Sequence, residues 1–278
     1  MKDRHLKYTI SEICNTSGYS RQAYYKRRNA SYHRILMESI ILDQVHVIRR
    51  RQPKIGTRKL YFKIKPALLD MGYDFGRDQL FDLLRKENML IRRRRKYVKT
   101  TDSRHRFTKY RNLIRELEIK RPHQVYVADI TYIRTLEGFC YLSLITDACS
   151  RKIVGYNLSR DLGIKGCIQT LKMALRQVPR EANLIHHSDR GIQYCSYDYT
   201  DILKKSGVRI SMTERDHVYE NSLAERVNGI LKDEFMLGET LASYSVAANI
   251  VKESIQIYNQ ERPHLSLNYE TPDQRHAA

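Results

Sequence analysis

No stretch of this 278-residue chain is apolar for long enough to cross a bilayer, and the opening Met1-Lys2-Asp3-Arg4-His5 holds no apolar signal region. Export and membrane embedding are therefore not expected, and the protein reads as cytoplasmic. Cysteine is scarce: Cys14, Cys140, Cys149, Cys167 and Cys195 are odd in number and lack the close-paired spacing of a metal site, so they read as reduced thiols. Sustained heptads are missing too, which excludes a coiled coil built within this chain. Acidic residues are sparse in the first half. Residues 1–121 hold 32 Lys and Arg against 12 Asp and Glu, a balance of +20, whereas residues 122–278 hold 18 against 19, a balance of −1. The asymmetry marks the first part as a polyanion-binding module, with nucleic acid favoured because no apolar face suited to a membrane accompanies the charge. A hydrophobic content of 41% and a charged content of 29% support packed cores, and the length allows more than one domain.

Two short helices about a turn are expected over 6–28. Ile10, Ile13 and Cys14 share one helical face, Asn15-Thr16-Ser17-Gly18 breaks the pattern, and Ser20 can cap a second helix over 21–28. That second helix presents Arg21, Tyr24, Tyr25 and Arg28 to a groove, so residues 1–30 read as a helix-turn-helix. A second helical DNA-binding unit is expected over 35–95. It comprises a stripe of Ile41, Val45 and Ile48, a helix opening at Gly56-Thr57-Arg58-Lys59 and stopped by Gly72, and a third helix over 77–88. Arg21, Tyr25, Arg28, Arg58, Lys59 and the run Arg93-Arg94-Arg95 are the candidate DNA contacts. Residues 96–121, with few apolar positions, read as a basic linker or a strap along phosphates.

Periodicity changes at 123. Strands are expected over 126–133, 139–146 and 152–158, then a helix over 164–177, a strand over 184–186, a helix over 197–205, a strand over 208–212, and helices over 222–235 and 246–258. That order is that of a ribonuclease-H-like α/β domain occupying 122–278, with a mixed five-stranded sheet flanked by helices.

Three carboxylates stand out within it. Asp129 sits mid-strand among β-branched and aromatic residues, where an unpaired buried carboxylate is costly and has little structural use. Asp189 opens Asp189-Arg190-Gly191, which alone is more often a turn, and Glu225 lies in Ser222-Leu223-Ala224-Glu225, a capping-box pattern. Exactly that topology would nonetheless bring strand one beside strand four, so the three can converge into an all-oxygen site suited to Mg²⁺ or Mn²⁺. Between Asp189 and Glu225 lie 35 residues.

The segments Ala128-Asp129-Ile130-Thr131-Tyr132, His187-Ser188-Asp189-Arg190-Gly191-Ile192-Gln193-Tyr194 and Glu220-Asn221-Ser222-Leu223-Ala224-Glu225-Arg226-Val227-Asn228 resemble the second-frame (orfB-type) transposases of bacterial insertion sequences, in the retroviral-integrase superfamily. So do Tyr258-Asn259-Gln260-Glu261-Arg262-Pro263-His264 and Thr271-Pro272, and around Ile55-Gly56-Thr57-Arg58-Lys59 the chain resembles the helix-turn-helix of that family. The likeness covers nearly the whole chain. Departures are Tyr126 where Trp is common, in a chain with no Trp, Glu220 for Asp, and Arg226-Val227-Asn228 for Ser-Phe-Phe; they alter packing around the triad rather than the triad.

The resemblance implies an Asp-Asp-Glu site of Asp129, Asp189 and Glu225 holding two Mg²⁺ (or Mn²⁺) ions, with Asp129 bridging them. It implies cleavage that frees a 3′-OH at the element end, followed by attack of that hydroxyl on another phosphodiester, with no covalent protein–DNA intermediate. Lys232, seven residues after Glu225 on the same helical face, would contact the DNA backbone. His187, Arg190 and His264 are candidates to order water or phosphate, although for His264 the helix-ending Pro263 is the simpler account of the motif. Implied partners are double-stranded DNA (terminal inverted repeats and target), further copies of the chain on DNA, and an upstream-frame product as a candidate fusion partner; the setting is the bacterial nucleoid, without a membrane. Competing readings are a DNA-binding regulator or inactive partner of a frameshifted fusion, and a ribonuclease H or general nuclease sharing the fold.

Overall fold

The computed structural model describes residues 8–91, 106–214 and 221–278, so Arg93, Arg94, Arg95 and Glu220 lie outside the described residues. Helix α1 (Ile10–Thr16) starts at a reciprocal cap in which Thr9 and Glu12 bond each other's backbone, and α2 begins where the Ser20 hydroxyl accepts from the Ala23 amide. The expected break after residue 28 does not occur. Helix α2 runs from Arg21 to Arg51 over 31 residues and joins the two expected helical units in one rod. Residues 29–34 contain neither Gly nor Pro, so nothing interrupts the backbone ladder before the apolar stripe of Met37, Ile41 and Val45 begins. That stripe packs with α3 (Thr57–Asp70) and α4 (Arg77–Lys86) around Ile55, Leu60, Ile64, Leu68, Leu80 and Leu84. The preceding stretch, 25–36, is exposed all round.

The second part forms a five-stranded sheet in the order β3-β2-β1-β4-β5. Strands β1 (Val125–Thr135), β2 (Gly138–Asp147) and β3 (Ile153–Ser159) make the expected antiparallel meander, and β4 (Ile185–Ser188) and β5 (Arg209–Met212) add in parallel. One face packs α5 (Ile164–Leu175) and α7 (Tyr197–Lys205) over Tyr126, Ala128 and Ile145. The other packs α8 (Ser222–Glu234) and α9 (Tyr244–Gln260) over Ile133, Leu142 and Leu144. Gly155 lets α5 lie directly on β3, since a Cβ there would stand 2.4 Å from the Thr170 carbonyl oxygen. The expected ribonuclease-H-like α/β core is thus present, with the short helices α6 (Ile192–Cys195) and α10 (Pro272–Ala277) in addition.

The described part of the expected basic linker is not a free connection. Phe107 and Tyr110 pack against one core, Leu113, Ile114, Leu117 and Ile119 against another, and the Leu113 amide donates to Ser211 Oγ at 2.9 Å. Tyr110, Leu113, Ile114 and Leu117 recur at helical spacing, yet the segment forms no helix and lies along the core as an irregular strap.

Candidate active site

The parallel ladder between β1 and β4 ends at the pair Ala128 and Ser188. Asp129 and Asp189 are each the next residue, so both emerge where β4 stops and β1 continues alone towards Thr135. This placement explains the mid-strand aspartate: β1 outruns its partner, and the carboxylate occupies the first step without a parallel neighbour. Asp189 also serves the turn, since its Oδ1 accepts the Gly191 amide at 2.9 Å.

Helix α8 is tied to the same point. Asn221, just before it, donates Nδ2 to the Ala128 carbonyl at 3.2 Å, and the Glu225 amide bonds the Asn221 carbonyl at 3.1 Å. Asn228, three residues after Glu225 on the same helical face, donates Nδ2 to Asp129 Oδ2 at 2.7 Å. Further along that face, Lys232 Nζ stands 4.8 Å from the centre of the Tyr132 ring.

Electrostatically, Asp129 is the outlier. Burial first, and the charge of Asp189 second, push its pKa up to about 7, with Glu225 adding to the rise; the Asn228 hydrogen bond and the Ile130 amide oppose it. Glu225 itself is exposed. Among the described residues no three His, Cys, Asp or Glu side chains are gathered closely enough to grip one ion. The β1–β4 register brings Asp129 and Asp189 side by side, and Glu225 stands on the adjoining helix α8.

The flanking candidates part ways. Arg190 follows Asp189 directly and is partly exposed. His187 is buried with Nδ1 2.8 Å from Ser211 Oγ, a contact that braces β4 against β5. His264 is buried edge-on against Tyr258, with ring centres 5.1 Å apart. Burial, with Arg262 and Lys59 nearby, lowers its pKa to about 2, so it stays neutral. Arg21, Tyr25, Arg28 and Arg58 are exposed as a DNA surface requires, and the Arg28 guanidinium lies 5.5 Å from the Tyr25 ring centre. Lys59 is not on that surface. It is buried and paired with Glu234 at 2.6 Å, its expected outward position being wrong because a partner 175 residues along the chain turns it inward. Asn228 was legible only as a departure from the family pattern; its helical spacing from Glu225 was the signal that could have placed it at Asp129.

An integrase core domain matches residues 119–217, and a second integrase core pattern matches residues 206–272. Over 269 residues the chain is 34% identical to the insertion element IS600 uncharacterized 31 kDa protein of Shigella sonnei, covering 94% of this chain and 96% of that protein. It is 27% identical over 280 residues to transposase InsF for insertion sequence IS3A of Escherichia coli strain K12, covering 99% of this chain and 96% of that protein. Among solved structures, the HTLV-2 integrase catalytic core domain in complex with magnesium superposes with a TM-score of 0.45 at 17% identity, covering 60% of this chain and 99% of that chain. The chain belongs to the insertion-sequence transposases of the retroviral-integrase superfamily.

Proposed function

We propose that this DNA transposase works as a divalent-metal-dependent polynucleotidyl transferase in which Asp129, Asp189 and Glu225 form the acidic triad, with two Mg²⁺ or Mn²⁺ ions as cofactors. The observation that carries the reading is the shared step beyond the Ala128–Ser188 pair, which seats two carboxylates together beside the helix that holds a third. The donor set fits a hard cation: it is all oxygen, and the side-chain carbonyl oxygens of Asn221 and Asn228 are buried beside it without a hydrogen-bond partner. Asp129, Asp189 and Glu225 would hold such ions, which would supply activation of a water or DNA 3′-hydroxyl and charge stabilisation of the departing 3′-oxygen.

The chain's own residues prepare that chemistry. Asn228 fixes one oxygen of Asp129. Asp129 retains a proton to about pH 7 when no cation balances its neighbours, so proton and metal compete for the same oxygens. Lys232, steered by Tyr132, and Arg190 supply positive charge for the DNA backbone. The helical units of 1–30 and 35–95 bind the terminal inverted repeats through Arg21, Tyr25, Arg28 and Arg58, and the joining of two ends calls for further copies of the chain on DNA. A fusion with an upstream-frame product would add DNA-binding and oligomerising segments. The DNA substrate places the protein on the bacterial nucleoid.

A labelled element-end duplex incubated with the protein tests this reading. Mg²⁺-dependent nicking that frees a 3′-OH and stops on chelation supports it. A second reading, a DNA-binding regulator or inactive partner, draws on the +20 balance of residues 1–121, which would hold DNA without any cleavage. Tight binding of the duplex without nicking in either Mg²⁺ or Mn²⁺ would decide for that alternative.

A further inference from the structure

We propose that the N-terminal helical unit sets the position of the helix carrying Glu225 through a buried ion cluster of Lys59, Glu234 and Arg262, which makes Lys59 and Arg262 positioning residues for the transposase reaction. The inference rests on the reading of Glu225 as the third carboxylate.

Glu234 ends α8, nine residues after Glu225 and about 13 Å along the same rod. Its carboxylate is gripped from two sides. Lys59 Nζ, from α3, reaches Oε1 at 2.6 Å, and Arg262, just past α9, forks onto both oxygens at 2.8 Å. Lys59 and Arg262 are both almost wholly buried, at 6% and 4% exposure. Two buried cations share one carboxylate, so the contact is an interior clamp rather than a surface ion pair.

Around the clamp the same two parts of the chain meet repeatedly. The Lys54 amide donates to the Glu234 carbonyl at 3.0 Å, capping the end of α8. Arg51 Nε lies 3.1 and 3.0 Å from the two oxygens of Glu261, and Lys63 Nζ donates to the Glu261 carbonyl at 3.2 Å. Phe62 stacks on Tyr269 with ring centres 4.6 Å apart. At its other end α8 is held by Asn221 and Asn228. A helix is stiff along its axis, so a shift at Glu234 is carried to Glu225. Glu225 is exposed on the helix so held and its charge is felt by Asp129, so its position relative to the two aspartates follows that of α8. The docked DNA-binding unit thus holds one end of α8 while Asn221 and Asn228 hold the other, and together they set where Glu225 stands relative to the two aspartates.

The test uses the full chain. Lys59→Met removes one of two cations and leaves the Glu234–Arg262 fork intact, so the fold is retained. Expected for it are affinity for element-end duplex within about twofold of wild type, nicking at saturating duplex slowed by about tenfold or more, and faster amide exchange over 222–234 without DNA. Lys59→Arg, which keeps the charge, restores both readouts. Phe62→Ala, at the exposed rim of the same contact, is the second variant and moves exchange and nicking in the same direction, by about threefold. Unchanged exchange over 222–234 in both Lys59→Met and Phe62→Ala would overturn the coupling, as would a nicking loss explained wholly by weaker DNA binding. If wild type nicks no duplex, the catalytic reading fails instead, and the exchange measurement still decides the coupling.

Discussion

Asn228 and Asp129 are joined by a 2.7 Å hydrogen bond across 99 residues of sequence, and that bond opposes the burial and the Asp189 charge that hold the Asp129 proton in place. Substituting Asn228→Ala removes a stabiliser of the ionised form. The alkaline-going limb of the pH–rate profile should move upward, with nicking at pH 7 reduced about tenfold and partly recovered at pH 8 to 9. A uniform loss at every pH would contradict this role for Asn228.

Asp129 also predicts the pH dependence of stability in metal-free protein. Its pKa is raised from 3.8 to about 7, so below pH 4 it is protonated in both folded and unfolded chains and has no effect. As pH rises towards 7 the unfolded chain releases the proton while the folded chain keeps it, and stability falls; above 7 the penalty is constant. Asp129→Asn should abolish this contribution and stabilise the metal-free protein at pH 7.5 by about 2 kcal/mol or more. Urea unfolding of both proteins at pH 5 and 7.5 checks it: the gap between them must widen with pH.

Glu234→Gln leaves Lys59 and Arg262 buried without a counter-charge. Burial alone would raise the Glu234 pKa, yet the Arg262 hydrogen bond and the charges of Arg262 and Lys59 outweigh it and lower it, so the carboxylate is ionised in the fold. A loss of about 3 kcal/mol is expected in denaturant unfolding. Arg262→Met should cost less than Glu234→Gln, because Lys59 still answers the carboxylate.

Neighbouring basic residues on α3 should behave differently towards DNA. Arg58 is exposed, and Arg58→Ala should lower the slope of log affinity against log salt by about 1. Lys59 is buried, and Lys59→Met should leave that slope unchanged. Fluorescence anisotropy over a salt series separates the two.

What could be read from sequence alone followed from local rules. Apolar, β-branched and aromatic runs bounded by turn residues located all five strands, and a carboxylate with no reason to stand mid-strand located Asp129. Features set by distant partners were hidden. Lys59 reads as a basic helix residue until Glu234 is brought to it, and His187 reads only as a neighbour of Asp189 until the β4–β5 register sets it opposite Ser211. The full length of α2 was missed for a different reason: the sequence over 29–34 lacks any breaker, but it also lacks an apolar stripe, and pattern reading takes that for an end.

The most direct test of the account is strand transfer by purified protein with Mg²⁺ and labelled element-end DNA, comparing wild type with Asp189→Asn and Glu225→Gln. Joined products from wild type, lost in both variants while duplex binding is retained, are the predicted result. Undiminished joining by either variant, or binding by wild type without any cleavage, would contradict the claim that these carboxylates carry the reaction.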